Sequence, residues 1–202
     1  MHKNDDIVKV YDDMFNLIGA EKWSTVHQKG LLHQVIHLWL YSHDDGDSEK
    51  WLYFVQRSKD REDFPGLYDI PVTGHIDPEE TFSHAVIATT LDHIGLKLVP
   101  EQIQHIGNIR QKIDTDNYHD NAFCQVYIKR IVPPEPDFIL NHVEILFKVK
   151  YDDFCSWLGS DTEPITLYTT HNEPLKESVG SEWWWPRKEE FLTIVKPYID
   201  EH

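Results

Sequence analysis

The fold of this chain is decided by the stretch from Phe64 to Leu96, which reads FPGLYDIPVTGHIDPEETFSHAVIATTLDHIGL. The β-branched and aromatic residues ahead of Gly74 predict a strand that runs into a tight loop. The pattern that follows predicts a helix from about Glu79 to Ile94. Gly95 is the predicted end of this helix, because glycine readily takes the left-handed conformation found just after a helix. The remaining segments are placed around this strand, loop and helix.

The helix in this stretch carries start signals and two distinct faces. Asp77 can cap free backbone amides, Pro78 suits the first turn, and Glu80 can close a capping box. The face predicted to pack on a sheet consists of Val86, Ile87, Thr90, Leu91 and Ile94. The opposite face, predicted to border a cleft or water, consists of Phe82, Ala85, Thr89, Asp92 and His93.

Apolar or alternating segments on both sides of this stretch predict further strands. These segments are residues 31–41, 51–56, 103–110, 123–131 and 143–151. An isolated hairpin would not bury enough apolar surface, so we expect these strands to share one sheet.

The other segments have weaker patterns. Residues 7–18 predict a hairpin that turns at an acidic pair, and residues 152–158 predict a short helix. A C-terminal amphipathic helix is predicted at about 186–200. We interpret residues 111–121 as a polar loop and residues 162–176 as a weakly patterned loop.

Length and composition limit the class of protein. The chain has 202 residues with 40% hydrophobic content, which predicts a single domain over residues 1–202. A formal net charge of −16 argues against a nucleic-acid partner. No apolar run is long enough to span a membrane and the N-terminus does not read as a secretory leader, so we expect no membrane partner and a cytoplasmic location. The two cysteines are interpreted as free thiols.

Four positions of the opening stretch fall in register with a known motif. The Nudix box is written Gly, five residues, Glu, seven residues, Arg-Glu-apolar-x-Glu-Glu-x-Gly-apolar, and the stretch resembles it. The matching residues are Gly74, Glu80, Gly95 and Leu96. The positions of the arginine and of the three following glutamates carry Ala88, Thr89, Asp92 and His93. The chain therefore resembles a Nudix protein with a degenerate box, spanning residues 74–96.

Further segments resemble the Nudix branch that contains type I isopentenyl diphosphate isomerase and its hydrolase-like relatives. They are VHQKGLLHQVIHLWLY, QRSKDREDFPGLYDI and TGH, and with the box they cover residues 7–131. The resemblance implies the α/β (α+β) class and the Nudix fold, a mixed β-sheet sandwiched between helices. It also implies a small-molecule diphosphate as the ligand and a divalent metal, Mg²⁺ or Mn²⁺, as the cofactor of an active enzyme. An inactive protein needs no cofactor.

The box residues are the first candidates for catalysis and metal binding. The resemblance implies these roles for Glu80, Asp92 and His93. One short carboxylate with a threonine and an imidazole is a poor Mg²⁺ site, although the imidazole suits a softer ion such as Mn²⁺ or Zn²⁺. Alternatively, Glu80 only caps the helix, while Asp92 and His93 lie on a solvated helix face.

A second metal site is implied by the isomerase-like branch. His27 or His33, together with His75, resemble its histidines, and Asp120 resembles one of its carboxylates. The alternative interpretation is that these histidines are structural and scattered. Isomerisation itself is not expected, because the two proton-transferring positions carry Thr73 and Ala122.

Cationic and aromatic residues complete the candidates. Arg57 and Lys59 are predicted to contact the diphosphate, since their segment lies near the phosphates in the resembling proteins. Lys59 also fits the solvated charge run KDRED. The run of three tryptophans at 183–185 is interpreted as packing or an oligomer contact, with base stacking as the alternative.

Three functional hypotheses remain at this point. The first is a hydrolase of a nucleoside or prenyl diphosphate whose activity is attenuated or lost with the box glutamates. The second is a non-catalytic Nudix-fold protein that binds a nucleotide, a diphosphate ligand or a protein partner. The third is a structural subunit that forms a homo-oligomer through its tryptophan-rich end.

Overall fold

The computed structural model describes residues 6–43, 49–61, 63–116, 118–184 and 186–202, and the strands within them form one mixed sheet. The strands are β1 (Ile7–Tyr11), β2 (Leu17–Lys22), β3 (Leu32–His43), β4 (Lys50–Arg57), β5 (Tyr68–Asp69), β6 (Val72–His75), β7 (Gln104–Asp114), β8 (His119–Ile131), β9 (Val143–Lys150), β10 (Ile165–Tyr168) and β11 (Pro174–Ser178). The helices are α1 (Trp23–Lys29), α2 (Phe82–Ile94), α3 (Tyr151–Trp157) and α4, which consists of Lys188–Glu190, a π-helical turn Phe191–Val195, and Lys196–Glu201. No helix among these residues is long and apolar enough to cross a membrane.

The sheet is organised around β3, whose side chains alternate between two cores. Strand β3 pairs in parallel with β8 and antiparallel with β1, β4 and β6. Trp39 and Tyr41 point to the core shared with α3 and α4, while Leu38 and Leu40 point to the core shared with α2. Helices therefore cover both faces of a mixed sheet, which confirms the predicted fold class.

The predicted start and faces of helix α2 are partly wrong. Thr81, whose side chain accepts a hydrogen bond from the backbone of His84, caps the helix, so it begins at Phe82 and not at Glu79. Leu91 is 45% exposed, whereas Ala85 and His93 are buried.

The connector between β8 and β9, residues 132–142, packs on the end of α2 and helps to bury His93. Asn141 donates a backbone hydrogen bond to the carbonyl of His93, and Ile139 donates one to the carbonyl of Ile94. The connector therefore covers the end of the helix on a side that the sheet does not reach. A helical wheel contains no information about such a segment, because it comes from a distant part of the chain.

Two segments interpreted as loops contain strands. Strands β7 and β8 continue through most of residues 111–121, and their tight turn is closed by a bond from the backbone amide of Thr115 to the carbonyl of Tyr118. Residues 162–176 contribute β10 and the start of β11. Strand β11 is an edge strand with five residues, four of them exposed, so it lacks the apolar alternation that marks a half-buried strand. The predicted N-terminal hairpin is also longer, because Ile7 pairs with Lys22.

Two glycines hold the box segment in place. A Cβ on Gly74 would lie 3.0 Å from Oγ1 of Thr89, so the missing side chain lets β6 approach α2 closely. Gly95 has a φ of 68° and ends α2, and a Cβ there would meet the side chain of Ile139 at 2.6 Å. Both glycines therefore preserve the shape of the box.

Candidate functional site

A cavity of about 630 Å³ is lined by helix α2, by residues of β3 and β6, and by Trp184 and Arg187 ahead of α4. Strand pairing explains which side chains of the sheet face it, because directly paired residues point to the same face. Thr73 pairs with His37, and His33 pairs with Ala122. The two positions that would transfer protons in an isomerase thus lie on the sheet face of His37, which α4 covers, and a threonine and an alanine occupy them.

The box residues line the cavity but point to different partners. Glu80 accepts from Nδ1 of His84 at 2.7 Å, and Oδ2 of Asp92 lies 3.7 Å from Nε2 of His142. His93 is buried, and this burial lowers its pKa to about 4 although nearby Asp92 acts in the opposite direction. At neutral pH the imidazole of His93 is therefore uncharged.

The ligand atoms of the box do not form a cluster in the part of the chain that is described. The ligand atoms of Glu80, Asp92 and His93 are not among the groups that come within 4.8 Å of one another. Mg²⁺ requires several oxygen ligands in a near-octahedral arrangement, and the half-exposed Asp92 is the one carboxylate at the three glutamate positions. The residues at these positions do not fit the ion that the Nudix box implies.

A histidine cluster lies beside the same cavity and reaches it through His75 and Asp120. His27, His33 and His75 bring their ring nitrogens within 4.8 Å of one another. Nε2 of His27 lies 3.1 Å from Nε2 of His75, and Oδ1 of Asp120 lies 3.3 Å from Nε2 of His33. Helix α1 supplies His27, while β3, β6 and β8 supply the other three residues.

Nε2 of His33 and Oδ1 of Asp120 face each other at 3.3 Å, a distance that a shared proton or a metal ion would bridge. The carbonyl oxygen of Leu31 lies 3.0 Å from Nδ1 of His33 and can only accept, so Nδ1 carries the proton of the neutral ring. Nε2 then presents a lone pair to Asp120, and both Nε2 and Oδ1 are enclosed without a hydrogen bond. Two such atoms repel each other unless a proton or a metal ion lies between them.

The chemistry of the cluster fits a divalent transition metal. Neutral imidazoles with a carboxylate suit Zn²⁺ or Mn²⁺ better than Mg²⁺. The bond from Nδ1 of His33 to the backbone of Leu31 is the outer contact that orients a ligating histidine. Burial raises the pKa of Asp120, while nearby His33 and Arg187 act in the opposite direction.

The two predicted phosphate contacts do not lie free in the cavity. Arg57 borders it, but Nη1 donates to Asp69 at 2.8 Å and Nη2 is bound by the side chain and carbonyl of Asp63. Lys59 is exposed and is not a lining residue, and its backbone amide donates to Glu144. Arg57 is therefore placed to support other side chains, with its two terminal nitrogens already engaged.

A buried polar network behind the cavity was missed by sequence reasoning. Nδ1 of His37 lies 2.7 Å from Oε2 of Glu190, and Trp39 donates to Oε1 at 2.7 Å. Arg187 connects this group to Asp69 on β5. The partners are about 150 positions apart, since His37 and Glu190 are separated by 153 residues. No local pattern in the sequence could have paired them.

The tryptophan run is divided between core and cavity. Trp183 is 5% exposed and packs on Phe54 at a ring distance of 4.8 Å, so packing is confirmed for this residue. Trp184 borders the cavity and stacks on Phe64 with ring centroids 3.5 Å apart. Trp185 lies outside the described residues.

Comparison with known proteins supports the same family. No protein-family model matches the chain. An uncharacterised Nudix hydrolase of Clostridium acetobutylicum is 23% identical over 163 residues, covering 80% of this chain and 78% of that protein. Isopentenyl-diphosphate Delta-isomerase of Cutibacterium acnes is 28% identical over 141 residues, covering 68% of each.

Solved structures agree on the fold. The crystal structure of a MutT/nudix family protein from Enterococcus faecalis superposes with a TM-score of 0.56 and 13% identity. The match covers 83% of this chain, and the chain spans 62% of that structure's chain. By sequence and by fold, this chain is a relative of the Nudix hydrolases and has the Nudix fold.

Proposed function

We propose that this chain binds an organic diphosphate, of a nucleoside or a prenyl alcohol, in the cavity beside α2, and hydrolyses it slowly or not at all. The observation that carries this proposal is the contrast between two groups on the cavity wall. His27, His33, His75 and Asp120 converge, whereas the box residues of α2 do not.

The histidine cluster is the site assigned to the metal. His33, His75 and Asp120 would hold it, with His27 beside them. When bound, a divalent metal neutralises phosphate charge and activates water. The bond from His33 to the carbonyl of Leu31 keeps the lone pair of Nε2 directed at this position.

The charge of the cavity supports a metal-dependent mode of binding. Among the described residues, its lining contains three arginines and seven carboxylates. Such a surface repels a free polyanion, because its own charge has the same sign. A diphosphate therefore needs a metal ion to enter with it or to be present already.

Loss of the box glutamates supports slow or absent turnover. At the positions of the three glutamates the cavity presents Thr89, a half-exposed Asp92 and an uncharged His93. Among the described residues, none of these side chains belongs to a group of three ligand atoms that lie within 4.8 Å of one another. This observation also supports the second candidate, a non-catalytic protein that binds a nucleotide, a diphosphate or a protein partner. Isomerisation is not expected, because Thr73 and Ala122 do not transfer protons.

Binding and turnover can be measured separately. Calorimetric titration of metal-free protein with Mn²⁺, Zn²⁺ and Mg²⁺ should give the tightest binding for a transition metal. Methylenediphosphonate, a diphosphate analogue that is not hydrolysed, should then bind only to the metal-loaded protein. Nucleoside and prenyl diphosphates should release little or no phosphate. Ordinary enzymatic turnover with Mg²⁺, abolished by Asp92→Ala, would overturn the proposal.

A further inference from the structure

Arg187 is a buried arginine at the edge of the cavity, just ahead of α4. It is 6% exposed and is one of the lining residues. Its Nε donates to Oδ1 of Asp69 at 3.3 Å, and its Nη1 donates to Oε1 of Gln111 at 2.7 Å and to Nε2 of His37 at 3.0 Å. Three neighbours from different strands therefore occupy two of the three guanidinium nitrogens.

The third nitrogen of this guanidinium, Nη2, is available to a ligand. Within the described residues Nη2 of Arg187 makes no hydrogen bond, and it is not one of the enclosed polar atoms that lack a partner. The atom therefore keeps access to open space, and the cavity is the space that Arg187 borders. A guanidinium nitrogen has two donors at this position, which suit an oxyanion.

Arg57 differs from Arg187 in this respect, although both border the cavity. Asp63 and Asp69 occupy the two terminal nitrogens of Arg57, and its Nε is enclosed without a partner. Asp69 contacts both arginines, which place its pKa below the usual range despite the opposing effect of burial. Arg57 thus helps to keep Asp69 charged, and Asp69 orients Arg187.

The contacts of His37 make the position of Arg187 well defined. Nε2 of His37 accepts from Arg187, so the proton of the neutral ring lies on Nδ1 and is donated to Glu190. The contacts from Arg187 to His37, from His37 to Glu190 and from Trp39 to Glu190 each join a donor to an acceptor. A cation held in place before the ligand arrives loses little conformational entropy on binding.

We propose that Arg187 is the fixed oxyanion contact of the cavity, with Nη2 donating to a phosphate oxygen of the ligand. This inference rests on the proposed function, because it assumes that a diphosphate enters the cavity. A carboxylate has the same hydrogen-bonding chemistry, and the experiment distinguishes the two groups.

The test compares methylenediphosphonate binding to metal-loaded wild-type protein and to the double variant Arg187→Gln/Glu190→Gln. The second change removes the buried carboxylate that the loss of Arg187 would leave poorly compensated. We expect affinity to fall by about 10- to 100-fold, the effect of losing hydrogen bonds from a charged donor. Metal uptake should be unchanged. Arg110→Gln, which removes an arginine that pairs with Asp13 away from the cavity lining, should bind as the wild type does.

Each outcome has a defined meaning. Equal affinity of the wild type and the double variant overturns the role of Arg187 and leaves the proposed function standing. No binding to the metal-loaded wild type overturns the proposed function, and with it the ligand assigned to Arg187. Malonate is the carboxylate probe. If malonate binds more tightly than methylenediphosphonate and its binding is lost in the double variant, the ligand is a carboxylate and the assignment of a diphosphate is wrong.

Wild-type protein gives a second measurement that does not depend on the folding of a variant. Phenylglyoxal modifies arginines, and peptide mass spectrometry reports the rate at each position. Methylenediphosphonate should slow modification of Arg187 and leave the rate at Arg110 unchanged. Equal rates at Arg187 with and without the analogue would overturn the inference.

Discussion

Helix α2 and the histidine cluster border the same cavity, yet only one of them has the chemistry of a metal site. Helix α2 keeps the glycines and the packing of a Nudix box, and its metal positions carry Thr89, Asp92 and His93. In the cluster, Nε2 of His33 and Oδ1 of Asp120 are enclosed without a hydrogen bond and lie 3.3 Å apart. A motif can therefore keep its shape and lose its metal ligands, since packing and metal binding depend on different side chains.

The largest expected effect is a difference in metal affinity between a variant of the histidine cluster and a variant of α2. His33→Ala should weaken Mn²⁺ or Zn²⁺ binding by about 1,000-fold, because a structural zinc ion gains about 10–16 kcal/mol over four ligands. Asp92→Ala should change the affinity little. Calorimetric titration of the metal-free variants measures both. Equal losses for both variants would contradict the assignment of the metal to the cluster.

Restoring the box should move chemistry back to α2. The variant Ala88→Arg, Thr89→Glu, Asp92→Glu, His93→Glu should raise diphosphate hydrolysis with Mg²⁺ by about 100-fold or more, because such a metal supplies several kcal/mol to the transition state. The matched control carries Ala88→Arg with glutamine at the other three positions, and it should stay at the original rate. If the glutamate variant is folded and hydrolyses diphosphates no faster than the original protein, a diphosphate does not bind next to α2 in this cavity.

Acid should destabilise the protein partly through His93. Its folded pKa of about 4 lies below the ordinary 6.5, so the unfolded chain takes up the proton first as the pH falls. The contribution of His93 is present above pH 6.5 and is lost between pH 6.5 and about 4, by at most about 3 kcal/mol. Asp92, Arg61 and His142 are the charged or titratable side chains that act on it.

Urea unfolding at pH 7 and pH 4.5 measures this effect. His93→Gln should show a smaller loss of unfolding free energy between the two pH values than the wild type. His84→Gln, at an exposed histidine of the same helix, should behave as the wild type does. If both variants lose as much unfolding free energy between the two pH values as the wild type, His93 is not buried in its neutral form.

The smallest expected effect tests how the box keeps its shape. Gly74→Ala places a Cβ 3.0 Å from Oγ1 and 3.2 Å from Cγ2 of Thr89, and should cost about 1–3 kcal/mol of unfolding free energy. Adding Thr89→Ala removes both atoms and should recover most of that loss. Thermal and urea unfolding measure the change. If the double variant is no more stable than Gly74→Ala, the close approach of β6 and α2 is not the cause.

Much of the fold follows from local sequence. Gly95 marks a turn that few other residues allow, Gly74 marks a close approach of β6 to α2, and the apolar run of β3 marks the centre of the sheet. The burial of His93 could not be predicted, because a segment around Ile139 and Asn141 folds back onto the end of α2. Local sequence patterns specify helices, strands and turns, but they do not show which distant segment of the chain will cover a helix.

The site was predictable to a smaller extent. His33, His75 and Asp120 were candidates through their positions in a resembling family, and the structure brings them together with His27. Arg187 was not a candidate, because its partner His37 is 150 residues away and an arginine beside a proline has no distinctive pattern. Buried polar networks depend on tertiary contacts, which a single sequence does not reveal.

The most direct test is to locate the metal. Crystals grown with Mn²⁺ or Zn²⁺ give an anomalous difference map that shows the ion independently of any assumption about its ligands. We predict a peak bound by Nε2 of His33, by His75 and by Asp120. A peak on Asp92, Glu80 or His93, with none at the histidine cluster, would contradict the claim that the metal chemistry of this cavity lies outside the box.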